Sequence, residues 1–104
     1  MYLPKKYKNF AADYPEIFNA YKEMGTLARE SGPLDEKTQN LVKLGIAVGS
    51  NSRGGVMSHT RKALEIGATK EEVNHAILLS LSTTGFPSMI AAMNWAAEVL
   101  EKSE

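Results

Sequence analysis

His59 and His75 are the two histidines in a chain of 104 residues that contains no cysteine. An imidazole titrates near neutrality when nothing perturbs it, so either ring is a candidate general acid or base. His59 is expected near a helix start, preceded by Gly54-Gly55 and surrounded by small residues; from position alone a structural or surface role is the simpler reading and an acid–base role the sharper one. His75 stands three and four residues after Glu72 and Glu71, a spacing that permits pairing on one helix face, and three and four before Leu78 and Leu79. A structural or interface role is the simpler expectation for it, a place in a substrate pocket the sharper one. The lack of cysteine removes disulfides, zinc thiolates, iron–sulfur ligation and thiol nucleophiles together. Neither histidine has acidic neighbours in a ligand pattern, and Glu71-Glu72 is more simply a helix-start pair, so no metal is expected. Gly54-Gly55 lacks the glycine-rich lead-in and the Lys-Ser/Thr ending of a phosphate loop.

Helices must position these groups, because no segment alternates in the manner of a strand. Asp13 is expected to cap a helix that begins near Pro15 and carries Ile17, Phe18, Tyr21, Met24 and Leu27 on one stripe. Ser31-Gly32-Pro33 stops it, and Asp35 starts the next, whose later turns from Leu41 to Val48 are apolar apart from Lys43. Gly49-Ser50-Asn51-Ser52 is a turn, after which Val56, His59, Ala63 and Ile66 share one period. Thr69 with Glu72 has the spacing of a capping box. A fourth helix runs through Val73 and Leu81 before Ser82-Thr83-Thr84-Gly85 loosens it, and a fifth follows Phe86-Pro87. Tyr7, Phe10, Tyr14, Phe18 and Tyr21 read as packing for the N-terminal helix, and Lys5, Lys6 and Lys8 as a solvated chain start.

Twelve basic and twelve acidic residues cancel, so no long-range field exists to gather nucleic acid or anionic lipid. The longest apolar run, Met89 to Met93, is far short of the roughly 20 residues a bilayer span requires. Met1 to Phe10 lacks a signal-peptide core, which makes a cytoplasmic location the expectation. Apolar residues at 43% and charged residues at 23% suit one globular domain over 1–104, with an N-terminal helical extension at 13–30.

The order of these pieces resembles the carboxymuconolactone decarboxylase family within the alkylhydroperoxidase D-like superfamily. Leu34-Asp35-Glu36-Lys37 through Leu44, Asn51 through His59-Thr60-Arg61-Lys62-Ala63-Leu64, Gly67 through Val73, and Gly85-Phe86-Pro87 with its small-residue helix carry the likeness, over about residues 30–98. It implies an all-α orthogonal bundle of five to six helices that assembles as a homo-oligomer, a hexamer or else a trimer. Redox members place two cysteines seven and four residues before the histidine, where Ser52 and Gly55 stand here, and a glutamate where Asn40 stands. Thiol chemistry therefore fails at its first step.

Cysteine-free members include cofactor-independent decarboxylases. For such chemistry the resemblance implies His59 as general acid or base, with Asn40 and Ser52 at the neighbouring catalytic positions and Phe86 in the Gly-Phe-Pro segment beside the substrate. Arg53 or Arg61 would supply a bidentate contact to a carboxylate, the simpler reading of each being a solvated surface group, with His75 as a further pocket residue. The alternative expectation is a binding or scaffold protein that has kept the assembly without the chemistry.

Overall fold

Cap residues and proline set where the helices begin. The computed structural model describes residues 5–102, and all the regular secondary structure among them is helical: α1 Lys5–Asp13, α2 Pro15–Glu30, α3 Glu36–Gly49, α4 Arg53–Glu65, α5 Lys70–Leu78, α6 Leu81–Thr84 and α7 Phe86–Lys102. The all-α bundle is as expected; α1 is an addition to the expected helices, and the fourth of these breaks after Leu78, leaving α6 as a single turn. The Asp35 carboxylate accepts the Thr38 amide at 2.8 Å, capping α3. Thr69 and Glu72 form the reciprocal capping box of α5, at 3.0 and 2.9 Å. Asp13 does not cap α2: it ends α1, and Tyr14 occupies the cap position without a side-chain bond while Pro15 opens the helix. Proline supplies the helical φ at that position and has no amide to satisfy, so the start does not depend on a polar cap.

The chain divides into two compact units between Pro33 and Leu34. The first holds α1 and α2, neither of which contains a buried residue. Their contact is aromatic: Tyr7 meets Phe18 edge-on at 5.4 Å, Phe10 lies 5.4 Å from Tyr14 and 6.5 Å from Phe18, and Lys22 stands over the Phe18 ring at 5.7 Å. Such ring pairs contribute about 0.5–1.5 kcal/mol each beyond the area they cover.

The second unit has the core. Leu44 and Val48 of α3, Val56 and Ala63 of α4, Val73 and Ile77 of α5, and Met89, Ala92, Ala96 and Leu100 of α7 form one buried cluster. Leu41, Leu64, Met93 and Trp95 pack on its margin. α4 lies between α3 and α7, and α5 closes on α3 and α7. Two ion pairs tie the helices from outside, Lys37 to Glu72 at 3.0 Å and Arg53 to Glu98 at 3.1 Å. Both are solvated and worth about 0–1 kcal/mol each, so apolar burial holds this unit together.

The turn from α3 to α4 is fixed by its backbone. The amides of Ser50, Asn51 and Ser52 donate to the carbonyls of Ile46, Val48 and Ala47. Asn51 takes a left-handed conformation with φ of 54°, which asparagine tolerates better than most residues. Ser52 is thereby delivered to the head of α4, where its Oγ accepts the Gly55 amide at 3.0 Å. A side chain at residue 55 would place its Cβ 2.9 Å from Ser52 Oγ and 3.0 Å from Ala47 Cβ, so glycine is what lets α3 and α4 close here.

Candidate functional site

The α3–α4 junction opens into a cleft of about 290 Å³ lined by Lys43, Ile46, Ala47, Ser50, Ser52 and His59. Helical register explains the set. Lys43, Ile46, Ala47 and Ser50 recur at three-to-four-residue spacing along α3 and its C-cap, and Ser52 and His59 are seven apart on α4. His59 is half-buried. Its Nδ1 is out of contact with solvent and has no hydrogen-bond partner, so Nε2 is the ring nitrogen left to meet a ligand.

The environment keeps this imidazole neutral. Burial is the main cause, followed by the positive charges of Lys62 and Lys43, and together they push its pKa down to about 4. Protonation would also leave a buried N–H without an acceptor, which acts in the same direction. In the free protein at neutral pH, His59 is therefore a base and not a charged acid.

Of the residues singled out from the sequence, His59 and Ser52 come together in the cleft. Ser52 does so with its hydroxyl already committed as the helix cap. Asn40, Arg53, Arg61, His75 and Phe86 are not among the lining side chains. Asn40 lies two turns before Ala47 on α3 and donates to the Glu36 carbonyl at 3.0 Å. Arg53 points its guanidinium at both oxygens of Glu98 on α7, each at 3.1 Å. Arg61 is half-buried two positions beyond His59, on a different side of α4. His75 is exposed in the last turn of α5, where a basic group suits the helix dipole. Phe86 is 58% exposed at the first position of α7.

Lys43 was missed as a site residue. From sequence it was only the polar interruption of an apolar segment, yet its spacing to Ala47 and Ser50 already placed the three on one face. Among the described residues, no group of three or more His, Cys, Asp or Glu side chains is placed to hold a metal ion. No helix among them is long and apolar enough to cross a membrane.

Known proteins share the family pattern and the fold. The sequence pattern of the carboxymuconolactone decarboxylase family matches residues 15–98, which takes in α2 as well as most of the second unit. The chain belongs to that family. The crystal structure of an apo carboxymuconolactone decarboxylase family protein from Legionella pneumophila has the same fold, with a TM-score of 0.80 at 26% identity over 91% of this chain and 84% of that one. An uncharacterized protein of Methanocaldococcus jannaschii is 29% identical over 90 residues, 86% of this chain and 83% of its own length. A nitrosuccinic acid decarboxylase of Metarhizium robertsii is 36% identical over 69 residues, 66% of this chain and 48% of that protein.

Proposed function

We propose that this protein is a cofactor-independent decarboxylase of a small carboxylated lactone or related acid, with His59 handling the proton. The observation that carries the reading is the half-buried imidazole, unpartnered at Nδ1 and facing a cleft, midway along α4 in a family fold. The relative that decarboxylates nitrosuccinic acid supports the reaction class. Loss of carbon dioxide breaks the bond between the carboxylate carbon and its neighbour. The electron pair moves onto an adjacent electron-withdrawing group, and a proton must then reach the carbon.

A neutral His59 gains that proton most readily when the substrate arrives. A carboxylate in the cleft puts negative charge beside a ring whose proton affinity is held down by burial and by Lys62 and Lys43, and opposite charge favours the imidazolium. The imidazolium then gives its proton to the carbon as carbon dioxide leaves, and water restores it. Asn40, Arg53, Arg61, His75 and Phe86 do not line the cleft and are assigned no step in this reading. For Ser52 the cap bond to Gly55 favours orienting α4 over attacking a substrate.

The test is a His59→Ala variant assayed for carbon dioxide release from a panel of lactone and nitro acids that the wild type turns over. A loss of about 10²-fold or more in kcat is expected for a proton-transfer group. Undiminished turnover would remove His59 from the mechanism. A ligand-binding protein without chemistry is the second reading, favoured by the Asn40 amide being turned to its own helix backbone. Specific binding of such acids without conversion by the wild type would select it. We further propose that the protein works as a homo-oligomer, a hexamer or else a trimer, since Ile46 at the mouth of the cleft is 62% exposed in the single chain.

A further inference from the structure

Any acid that enters this cleft needs a partner for its carboxylate, and the two arginines do not line it. The Arg53 fork is occupied by Glu98, and Arg61 lies on another side of α4. Lys43 is the one charged side chain among the six that line the cleft. It is half-buried on an otherwise apolar stretch of α3, between Val42 and the fully buried Leu44. The ion pairs Lys37–Glu72 and Arg53–Glu98 use other cations, and Lys43 pairs with no carboxylate among the described residues. A partly desolvated ammonium without a counter-ion is unfavourable, and its place beside an imidazole unpartnered at Nδ1 suits a site whose counter-ion is an acidic ligand.

We infer that Lys43 is the anion anchor of the cleft, pairing with a carboxylate of a small organic acid and holding it against the Nε2 edge of His59. This deepens the decarboxylase reading by fixing the charge that the substrate must carry, and in its catalytic consequence it rests on that reading. Anchoring itself does not require turnover. The cleft of about 290 Å³ is open to solvent and has room for a compact acid between Lys43 and His59. The Ser50 hydroxyl on the same wall is available as a second donor to the anion. Lysine acts here as a point charge and not as a planar fork, so the site tolerates acids of different geometry and discriminates chiefly by charge and size.

The two histidines make the experiment selective, because His75 stands outside the cleft and serves as an internal control. Wild type, Lys43→Met and Lys43→Arg are titrated at pH 7 with acetate, benzoate, succinate and the uncharged succinamide, following the imidazole proton resonances. The expected result is saturable movement of the His59 signals by at least one acid, none with succinamide, and His75 unmoved. Binding should weaken tenfold or more in Lys43→Met and remain within a few-fold of wild type in Lys43→Arg. Unaltered acid binding by Lys43→Met, equal movement of both histidines, or a wild type that responds to none of the acids would each overturn the inference. A His59→Ala variant that keeps calorimetric acid binding separates the two proposals: its turnover decides the role of His59, and the Lys43→Met affinity decides the anchor.

Discussion

At the scale of single residues, the burial of His59 links stability to pH. The unfolded chain has an ordinary histidine with a pKa of about 6.5, whereas the native ring is held at about 4 by burial first and then by Lys62 and Lys43. Between those values the unfolded state takes up a proton that the native state refuses. Stability is therefore whole above about pH 6.5 and declines as pH falls toward about 4. The full shift would correspond to about 3 kcal/mol, and solvent screening at a half-exposed ring reduces this to on the order of 1–2 kcal/mol. Urea unfolding at pH 7.5, 6 and 5 should show the wild type losing that much more than His59→Gln. Superimposable pH profiles would show that the native ring titrates normally. Asp35 and Glu72 act only at the acid end of this window. The amides of Thr38 and Thr69 respectively hold their carboxyls below the ordinary values of 3.8 and 4.5, so their contributions are whole at pH 6 and fade as pH falls past those values.

Among the helices, two adjacent glycines at the head of α4 carry opposite consequences. A Cβ at Gly54 meets nothing within 4 Å, while one at Gly55 falls 2.9 Å from Ser52 and 3.0 Å from Ala47, well inside van der Waals contact. Gly54→Ala should raise stability by about 0.4–1 kcal/mol by restricting the unfolded chain. Gly55→Ala should lower it by about 1–3 kcal/mol through overpacking at the α3–α4 crossing. Chemical denaturation of the pair decides it, and shifts of the same sign in both variants would contradict the packing described. Several element boundaries were legible from local rules: Asp35, the Thr69–Glu72 box and the turn before Arg53 are where capping chemistry puts them, whereas Asp13 ends α1 and leaves the start of α2 to Pro15. The first helix was not, because Lys5, Lys6 and Lys8 mask a face whose apolar members are aromatic rings that pair with one another and not with a core. The site was legible at His59 and Ser52, both fixed by position on α4. Lys43 was hidden because its meaning depends on where α3 crosses α4, and that crossing is set by tertiary packing at Gly55 and Ala47.

For the whole molecule, the exposed apolar residues of the second unit bear on assembly. Val42, Ile46, Leu78, Leu79, Leu81, Phe86 and Ile90 are each between 39% and 63% exposed, Leu79 the most. Trp95, by contrast, packs against the core, so its truncation would report on folding more than on contact. Leu79→Asp should lower the mass seen by light scattering, since a carboxylate buried between copies has no counter-charge there. An unchanged mass would remove Leu79 from the proposed contact.

The first unit, with no buried residue in either helix, has a further consequence for motion. Backbone amides behind few buried contacts open easily, so α1 and α2 should exchange their hydrogens for deuterium far faster than the buried turns of α3, α4 and α7 in dilute solution. If copies of the chain cover the stripe of Ile17, Tyr21, Met24 and Leu27, that exchange slows as protein concentration rises while the core amides stay as they were. The aromatic hairpin is then the part of the chain whose order is supplied by its neighbours.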